Sequence, residues 1–294
     1  MPPAEVEVDA ALVVGLLAEQ WPAYDGQSVT PWAQGWDNFL FRVGTSHLVR
    51  LPRREIAVEL VDNEVRWLPE LAERLPLRVP VPRFVGEPGK GYPWRWTVVD
   101  WLAGESAANR EDLDLPVCAR QLARFLAVLH QPAPPDAPVN PYRGIPLADR
   151  DLVVRDRIKR LGVSDAELLA PIWDSALTAT PHPGPPIWMH GDLHPHNLLA
   201  DDGLLTGVID FGDINAADPA TDLAIAWMFL PIEQHEGFAD AYGDSDENLW
   251  TRARGWALHL GLVYLDFSAD NPVMAQIGET TIARLVEEAS TARG

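Results

Sequence analysis

An α+β fold is what this sequence predicts, with a small antiparallel sheet in residues 1–102 and a mostly helical part in residues 103–294. Three observations predict it. Short apolar runs bounded by turn residues recur up to Leu102. From Ala103 onward the apolar residues fall at helical spacing. One polar stretch, MHGDLHPHNLLADDGLLTGVIDFGD (Met189–Asp213), interrupts the helices and carries short strands of its own.

In chain order, Asp9 is placed to cap a first helix with Leu12, Leu16 and Leu17 on one face, ending near Trp21-Pro22. Ser28–Gln34, Phe39–Val43 and His47–Leu51 read as strands, with a turn at Gly44. Glu55–Leu75 repeats apolar residues at helical spacing. A Pro-rich connection leads to a strand at Arg95–Leu102. GEPGKG (Gly86–Gly91) lacks the spacing of a phosphate-binding P-loop and reads as a hairpin turn. Glu111–Gln131 is a strongly amphipathic helix, and Pro132–Pro146 a Pro-rich linker. Helical segments follow at Ala148–Gly162 and Asp165–Thr178, then a break, PHPGPP. Short strands are expected at Ile187–Met189, Asn197–Ala200 and Leu204–Ile209. Helices are expected at Pro219–Phe229, Ile232–Tyr242, Glu247–Phe267 and Val273–Ala289.

Composition narrows the function. The net charge of −20 and a pI near 4.6 disfavour a nucleic-acid or anionic-lipid partner, both of which select a basic face. From Leu161 to Thr251 there is no Lys or Arg but 16 Asp and Glu, a field that attracts metal ions or an amine-bearing substrate. A single cysteine, Cys118, excludes an intramolecular disulfide and sits in an apolar helical pattern as a core thiol. No apolar run reaches the length of a membrane span, and Ala11–Leu17 lacks the basic flank of a signal peptide. A cytoplasmic, soluble protein is expected, as a monomer or weak dimer.

The polar stretch admits two chemistries. His190, Asp192, His194 and His196 alternate, and imidazoles so placed are zinc donors. No H-E-x-x-H helix or cysteine pair accompanies them, and this reading leaves the second half of the stretch unexplained. The other chemistry is phosphoryl transfer. His190-x-Asp192-x-x-x-x-Asn197 has the spacing of a kinase catalytic loop, and Asp210-Phe211-Gly212 follows an apolar strand thirteen residues after Asn197. Transfer of a phosphoryl group needs such oxygens, because the work is to align charged groups and neutralise them with Mg²⁺.

The motifs HGDLHPHNLL, VIDFGD and DPATDLA resemble the aminoglycoside phosphotransferase family, over nearly the whole chain from Gln34. The resemblance implies a protein-kinase-like bilobal fold, with residues 1–102 as the nucleotide-binding lobe and 103–294 as the catalytic and substrate-binding lobe. It implies that Asp192 orients and deprotonates the acceptor hydroxyl, and that Asn197 and Asp210 ligate Mg²⁺. His190 and Asp222 match residues that support the catalytic loop. Arg50 stands where kinase-like folds carry a lysine, as in the macrolide phosphotransferase branch, and its charged fork suits phosphate oxygens. Glu64 best matches its carboxylate partner, with Glu59 second. Gly35 and Asn38, in QGWDNFLFRV, match the family's short nucleotide loop. Val99, Asp100 and Leu102 fall where the family binds the base of ATP or GTP.

The expected reaction is transfer of a nucleotide γ-phosphate to a hydroxyl of an amine-bearing small molecule, an aminoglycoside-type antibiotic first. A macrolide 2'-phosphotransferase, a choline- or homoserine-like metabolite kinase, and a non-catalytic nucleotide-binding relative are the alternatives. Glu233, Glu236 and Asp266 are expected to meet amines of a cationic substrate, and Trp227 to offer an apolar face. His194 and His196 are expected to pack within the loop, and Asp213 and Asp218 to add to the metal's field or to cap.

Overall fold

The computed structural model describes residues 1–162 and 166–291. Two units divide it. Met1–Arg74, Arg78–Ala103 and Asp210–Gly212 make the first, while Leu75–Leu77, Gly104–Ile209 and the chain from Asp213 make the second. A single cut at residue 102 leaves Asp210–Gly212 with the helical part, but these three residues belong with the sheet.

In the first unit, helix α1 (Ala10–Gln20) starts where Asp9 accepts the Leu12 N–H at 2.8 Å, satisfying one orphan donor of the first turn. Strands β1 (Val29–Gln34), β2 (Asn38–Val43) and β3 (His47–Pro52) precede helix α2 (Val58–Ala72), and β4 (Pro82–Gly86) and β5 (Trp96–Asp100) follow it. They pair antiparallel in the order β1-β2-β3-β5-β4. Alternation assigns the faces. Phe41, Val43, Val49, Leu51, Trp96 and Val98 form one buried face, against Val13, Leu16 and Leu17 of α1. Arg50, between Val49 and Leu51, therefore points to the other face, where α2 buries Val61, Glu64, Leu68 and Leu71. The sequence pattern puts one helix against this sheet; there are two, one on each face.

The end of β4 packs closely on its partner strand, with Gly86 opposite Trp96 of β5. A Cβ on Gly86 would lie 1.9 Å from the fully buried Trp96 ring, so only glycine fits there. Overpacking of this kind costs about 1–3 kcal/mol. Gly86→Ala is expected to lower the melting temperature accordingly; an unchanged thermal transition would mean that the ring yields freely.

The second unit opens with β6 (Glu105–Ser106) and α3 (Leu115–Leu129). The amphipathic pattern from Glu111 predicts an earlier start, but Asp114 caps the helix by accepting the Val117 N–H at 3.1 Å. Helices α4 (Asp151–Arg160) and α5 (Ala166–Thr178) follow; the predicted start of α5 at Asp165 lies outside the described residues. Strands β7 (Ile187–Met189), β8 (Leu198–Asp201), β9 (Leu204–Val208) and β10 (Asn215–Ala217) form two small sheets, β6-β8-β9 and β7-β10. The segment expected as one helix from Pro219 to Phe229 is two short ones, α6 (Ala220–Leu223) and α7 (Ile225–Phe229), separated at Ala224. Then come α8 (His235–Tyr242), α9 (Glu247–Phe267) and α10 (Pro272–Thr291). Helix α9 is the hub, buried along most of its length. Among the described residues no helix is long and apolar enough to cross a membrane.

The stretch Pro132–Pro146 is more than a linker. The Trp188 N–H donates to the Gln131 carbonyl at 2.9 Å, the Ala133 N–H to the Pro186 carbonyl at 3.1 Å, and the Ala216 N–H to the Pro138 carbonyl at 3.1 Å. Proline removes donors from the strap, and the carbonyls of Pro138, Pro141, Tyr142 and Arg143 accept from groups outside it.

Candidate active site

In the first unit, Arg50 and Glu64 form a buried pair, with Nη1 donating to Oε2 at 2.6 Å. Glu59 is exposed. Arg50 Nη2 also lies 3.7 Å from an oxygen of Asp210, whose side chain is 58 % exposed. Burial alone would lower the Arg50 guanidinium, but the charges of Glu64 and Asp210 hold it above its ordinary value. Burial raises the Glu64 carboxyl, opposed by Arg50. Asp210 has a positive φ of 67°, a conformation rare outside glycine and Asn/Asp. Its carboxylate faces outward.

Gly35 closes the β1–β2 turn, its N–H donating to the Asn38 carbonyl at 2.9 Å. The carbonyls of Gly35 and Trp36 accept from Arg53 Nη1 at 2.9 and 3.1 Å. Asn38 is buried, with Oδ1 lacking a partner. Val99 and Leu102 are buried. The Asp100 side chain is engaged by Arg83 at 2.5 and 2.9 Å, and the Arg83 hydrogen bond holds its carboxyl below the usual range. Both contacts fall on Oδ2 of the carboxylate.

In the second unit, the loop after β7 is fixed from beneath. The buried Asp222 carboxylate accepts the His190 N–H at 2.6 Å and the Gly191 N–H at 2.9 Å. His130 Nε2 lies 3.3 Å from the same carboxylate, and its Nδ1 is 2.9 Å from the Tyr242 hydroxyl. Burial would raise Asp222, but His130 and the loop's N–H groups hold it below the ordinary value. Both ring nitrogens of His190 are used. Nδ1 accepts the Asp192 N–H at 3.2 Å, which makes Nε2 the donor to the Ile209 carbonyl at 2.9 Å. Gly191 has φ 83°, and a Cβ there would meet the Asp213 carbonyl at 2.3 Å. The loop path therefore requires glycine.

Asp192 is thereby presented with its side chain 23 % exposed. Its carboxylate accepts from Arg143 Nη1 through Oδ1, while Oδ2 is 3.7 Å from His194 Nε2. Burial pushes this carboxyl up, but the Arg143 charge and His194 overcome it and hold Asp192 well below the usual carboxylate range. Asn197 Nδ2 donates to the Asp192 carbonyl at 3.0 Å, so Oδ1 is the end of the amide left for a cation. The Ile209 N–H donates to the Asn197 carbonyl at 2.9 Å, and Asp210 is the next residue along the chain.

Arg143 lies in a segment whose sequence shows only a Pro-rich linker. The signal present was a lone arginine in NPYRG, just after an Asn able to turn the chain. His194 is buried with its ring edge-on to Tyr264 at 5.8 Å, and His196 Nδ1 lies 3.0 Å from the Ser106 hydroxyl. With His190 spent on hydrogen bonds, the zinc reading has no donor set. Among the described residues no group of three His, Cys, Asp or Glu is placed to hold a metal. Magnesium asks for hard oxygens instead, and the Asn197 amide oxygen and the outward Asp210 carboxylate are of that kind.

Two expected substrate contacts are corrected. Asp266 is committed to Arg157 at 3.0 Å and Arg160 at 2.6 Å, so its charge is already compensated. Trp227 is buried, its Nε1 donating to Glu288 at 2.8 Å, so the ring is core rather than an open face. Glu233 and Glu236 are exposed. Asp218 is held by Arg252 and accepts the Ala220 N–H at 3.1 Å, a capping role. A cavity of about 460 Å³ does lie in this unit, lined by Ala107, Pro195, Met228, Phe229, Ile277 and Arg284 among others.

Relatives of known kind carry the same architecture. An aminoglycoside 3'-phosphotransferase from Streptomyces fradiae is 28 % identical over 173 residues, which cover 56 % of this chain and 64 % of the relative. The match thus spans less than two thirds of that protein. The structure of the GDP complex of aminoglycoside 2'-phosphotransferase-IIIa superposes with a TM-score of 0.69 at 20 % identity, covering 98 % of this chain and 100 % of that one. The apoenzyme of a macrolide 2'-phosphotransferase from Brachybacterium faecium gives 0.62 at 24 % identity, covering 94 % and 97 %. These likenesses establish the α+β fold. The profile of the phosphotransferase enzyme family (APH) matches residues 28–256, and this chain belongs to that family.

Proposed function

We propose that this protein is a small-molecule kinase that moves the γ-phosphate of ATP or GTP to an acceptor hydroxyl. The observation that carries this reading is the loop around Asp192. Asp222, His190 and Asn197 use their hydrogen bonds to hold its backbone, and one carboxylate oxygen remains to meet a hydroxyl. The acceptor oxygen bonds to the γ-phosphorus as the bond from phosphorus to the bridging oxygen breaks. The electron pair leaves on the nucleoside diphosphate, and the hydroxyl proton passes to Asp192 Oδ2. A carboxylate held so far below the usual range is a weak base, so it chiefly orients the hydroxyl and takes the proton late, as a loose transition state requires. Arg50 is the cation for the nucleotide phosphates, with Glu64 holding its fork and Gly35 and Asn38 in the adjoining turn. Val99, Asp100 and Leu102 supply the base-binding strand end. Bound Mg²⁺ supplies charge neutralisation on the phosphoryl oxygens, and Asn197 and Asp210 are the residues that would hold it.

An amine-bearing, aminoglycoside-type acceptor is supported by the relatives and by the acidic character of the chain, with Glu233 and Glu236 as its exposed carboxylates. One observation favours the second reading, a larger and more apolar acceptor of macrolide type. The cavity beside Pro195 is lined mainly by apolar side chains, with arginines and a single carboxylate, Glu111. A polycation has little to gain there. The test is phosphorylation of kanamycin, gentamicin, streptomycin and erythromycin with MgATP and MgGTP, followed by mass spectrometry. A product about 80 Da heavier with an aminoglycoside supports the first acceptor class, and one with erythromycin supports the second. Failure with all four, together with no stimulated nucleotide turnover by choline or homoserine, counts against the kinase reading.

A further inference from the structure

Arg143 reaches Asp192 from 49 residues upstream, and the chain around it is built to deliver it. Asn140 Oδ1 accepts the N–H groups of Tyr142 at 2.8 Å and Arg143 at 3.0 Å, turning the chain. Asn140 Nδ2 donates to Asp213 at 2.6 Å, fastening that turn to the segment after the strand. The Arg143 carbonyl accepts from the Thr221 hydroxyl at 3.1 Å, one residue before Asp222. Gly144 leaves no slack, since a Cβ there would meet Asn215 Oδ1 at 2.9 Å and the Asn140 carbonyl at 3.0 Å. The backbone of the strap is thus fixed without the guanidinium. Arg143 Nη1 then donates to the Gly191 carbonyl at 3.2 Å and to Asp192 Oδ1.

Since other groups anchor the strap, the guanidinium is left with a different task. We propose that Arg143 is a positioning residue that fixes the Asp192 carboxylate through Oδ1, so that Oδ2 alone faces the acceptor hydroxyl. This rests on the reading of Asp192 as the group that receives the hydroxyl proton. Two contacts from a single nitrogen, one to the loop carbonyl and one to the carboxylate, lock the rotation of the side chain relative to its own backbone. Without them Asp192 has only His194 beside it and can turn either oxygen outward or neither. Misplacement of a catalytic group by about 1 Å costs about 10²-fold in rate.

The experiment needs no identified acceptor. Phosphate release from MgATP and MgGTP is measured with water as acceptor, for the wild type, Arg143→Met, Arg143→Lys, Asp192→Asn and the double variant. Crystal structures of the wild type and both Arg143 variants are determined in parallel. Arg143→Met is expected to lower kcat by about 10²-fold with the nucleotide KM unchanged, and Arg143→Lys to recover most of the loss, because both bonds come from one nitrogen. In the Asp192→Asn background Arg143→Met should add nothing, the coupling expected of a residue that acts through another. In the crystals the Asp192 carboxylate should leave its orientation in the methionine variant and keep it in the lysine variant. An unchanged Asp192 rotamer in Arg143→Met, or a loss of rate equal in both backgrounds, overturns the proposal whatever the absolute turnover. Full activity in Asp192→Asn is a separate outcome that overturns the kinase assignment itself.

Discussion

Asp192→Ala is expected to lower turnover by about 10²–10⁴-fold, the usual contribution of a positioned acid–base group, while the affinity for Mg²⁺-nucleotide stays near that of the wild type. The reason is spatial. Asp192 hydrogen bonds to its loop through its backbone, with the N–H on His190 and the carbonyl on Asn197. Truncating the side chain leaves those bonds in place. It removes one carboxylate and leaves Arg143 on the Gly191 carbonyl. Isothermal titration with a non-hydrolysable nucleotide, beside steady-state kinetics, separates the two effects. A variant that turns over normally would remove Asp192 from the chemistry. A variant that has also lost the nucleotide would show that the loop itself had collapsed.

What could be read along the chain, and what could not, follows from range. The first sheet is legible because its signal is local: alternation in Asn38–Val43 and His47–Pro52 separates Val49 and Leu51 from Arg50 within three residues. The pairing of Arg50 with a carboxylate one helix later is also near, fourteen residues on; the family resemblance implies Glu64 ahead of Glu59, and the structure buries Glu64 and exposes Glu59. The loop around Asp192 is legible because its motif is dense. By contrast, β10 is three residues long, and β7 gains its partners from it and from the strap. No pattern of three residues announces that. Asp266 reads as an open carboxylate because Arg157 and Arg160 lie 109 and 106 residues away. Trp227 reads as an open aromatic because Glu288 is 61 residues downstream. Arg143 is the same case with a functional consequence: its segment looks like a spacer because prolines hide how many of its carbonyls are used.

The Arg50–Glu64 pair offers the sharpest separation of folding from chemistry. Both side chains are almost wholly buried, so each is tolerable only because the other is there. Removing one partner from such a pair costs about 3–5 kcal/mol, whereas replacing both by apolar residues of similar volume is often neutral or stabilising. Glu64→Ala should therefore lower the free energy of unfolding by about that amount and leave a desolvated guanidinium beside Asp210. The double variant Arg50→Met/Glu64→Leu should recover most of the stability in urea or thermal unfolding. It should not recover nucleotide binding, because no cation then remains at that point of the sheet to meet phosphate oxygens. If the double variant is stable and still binds MgATP or MgGTP as the wild type does, Arg50 is a structural ion pair and the phosphates are held elsewhere. If it is stable and blind to both nucleotides, the arginine at this position performs the task that kinase-like folds give to lysine.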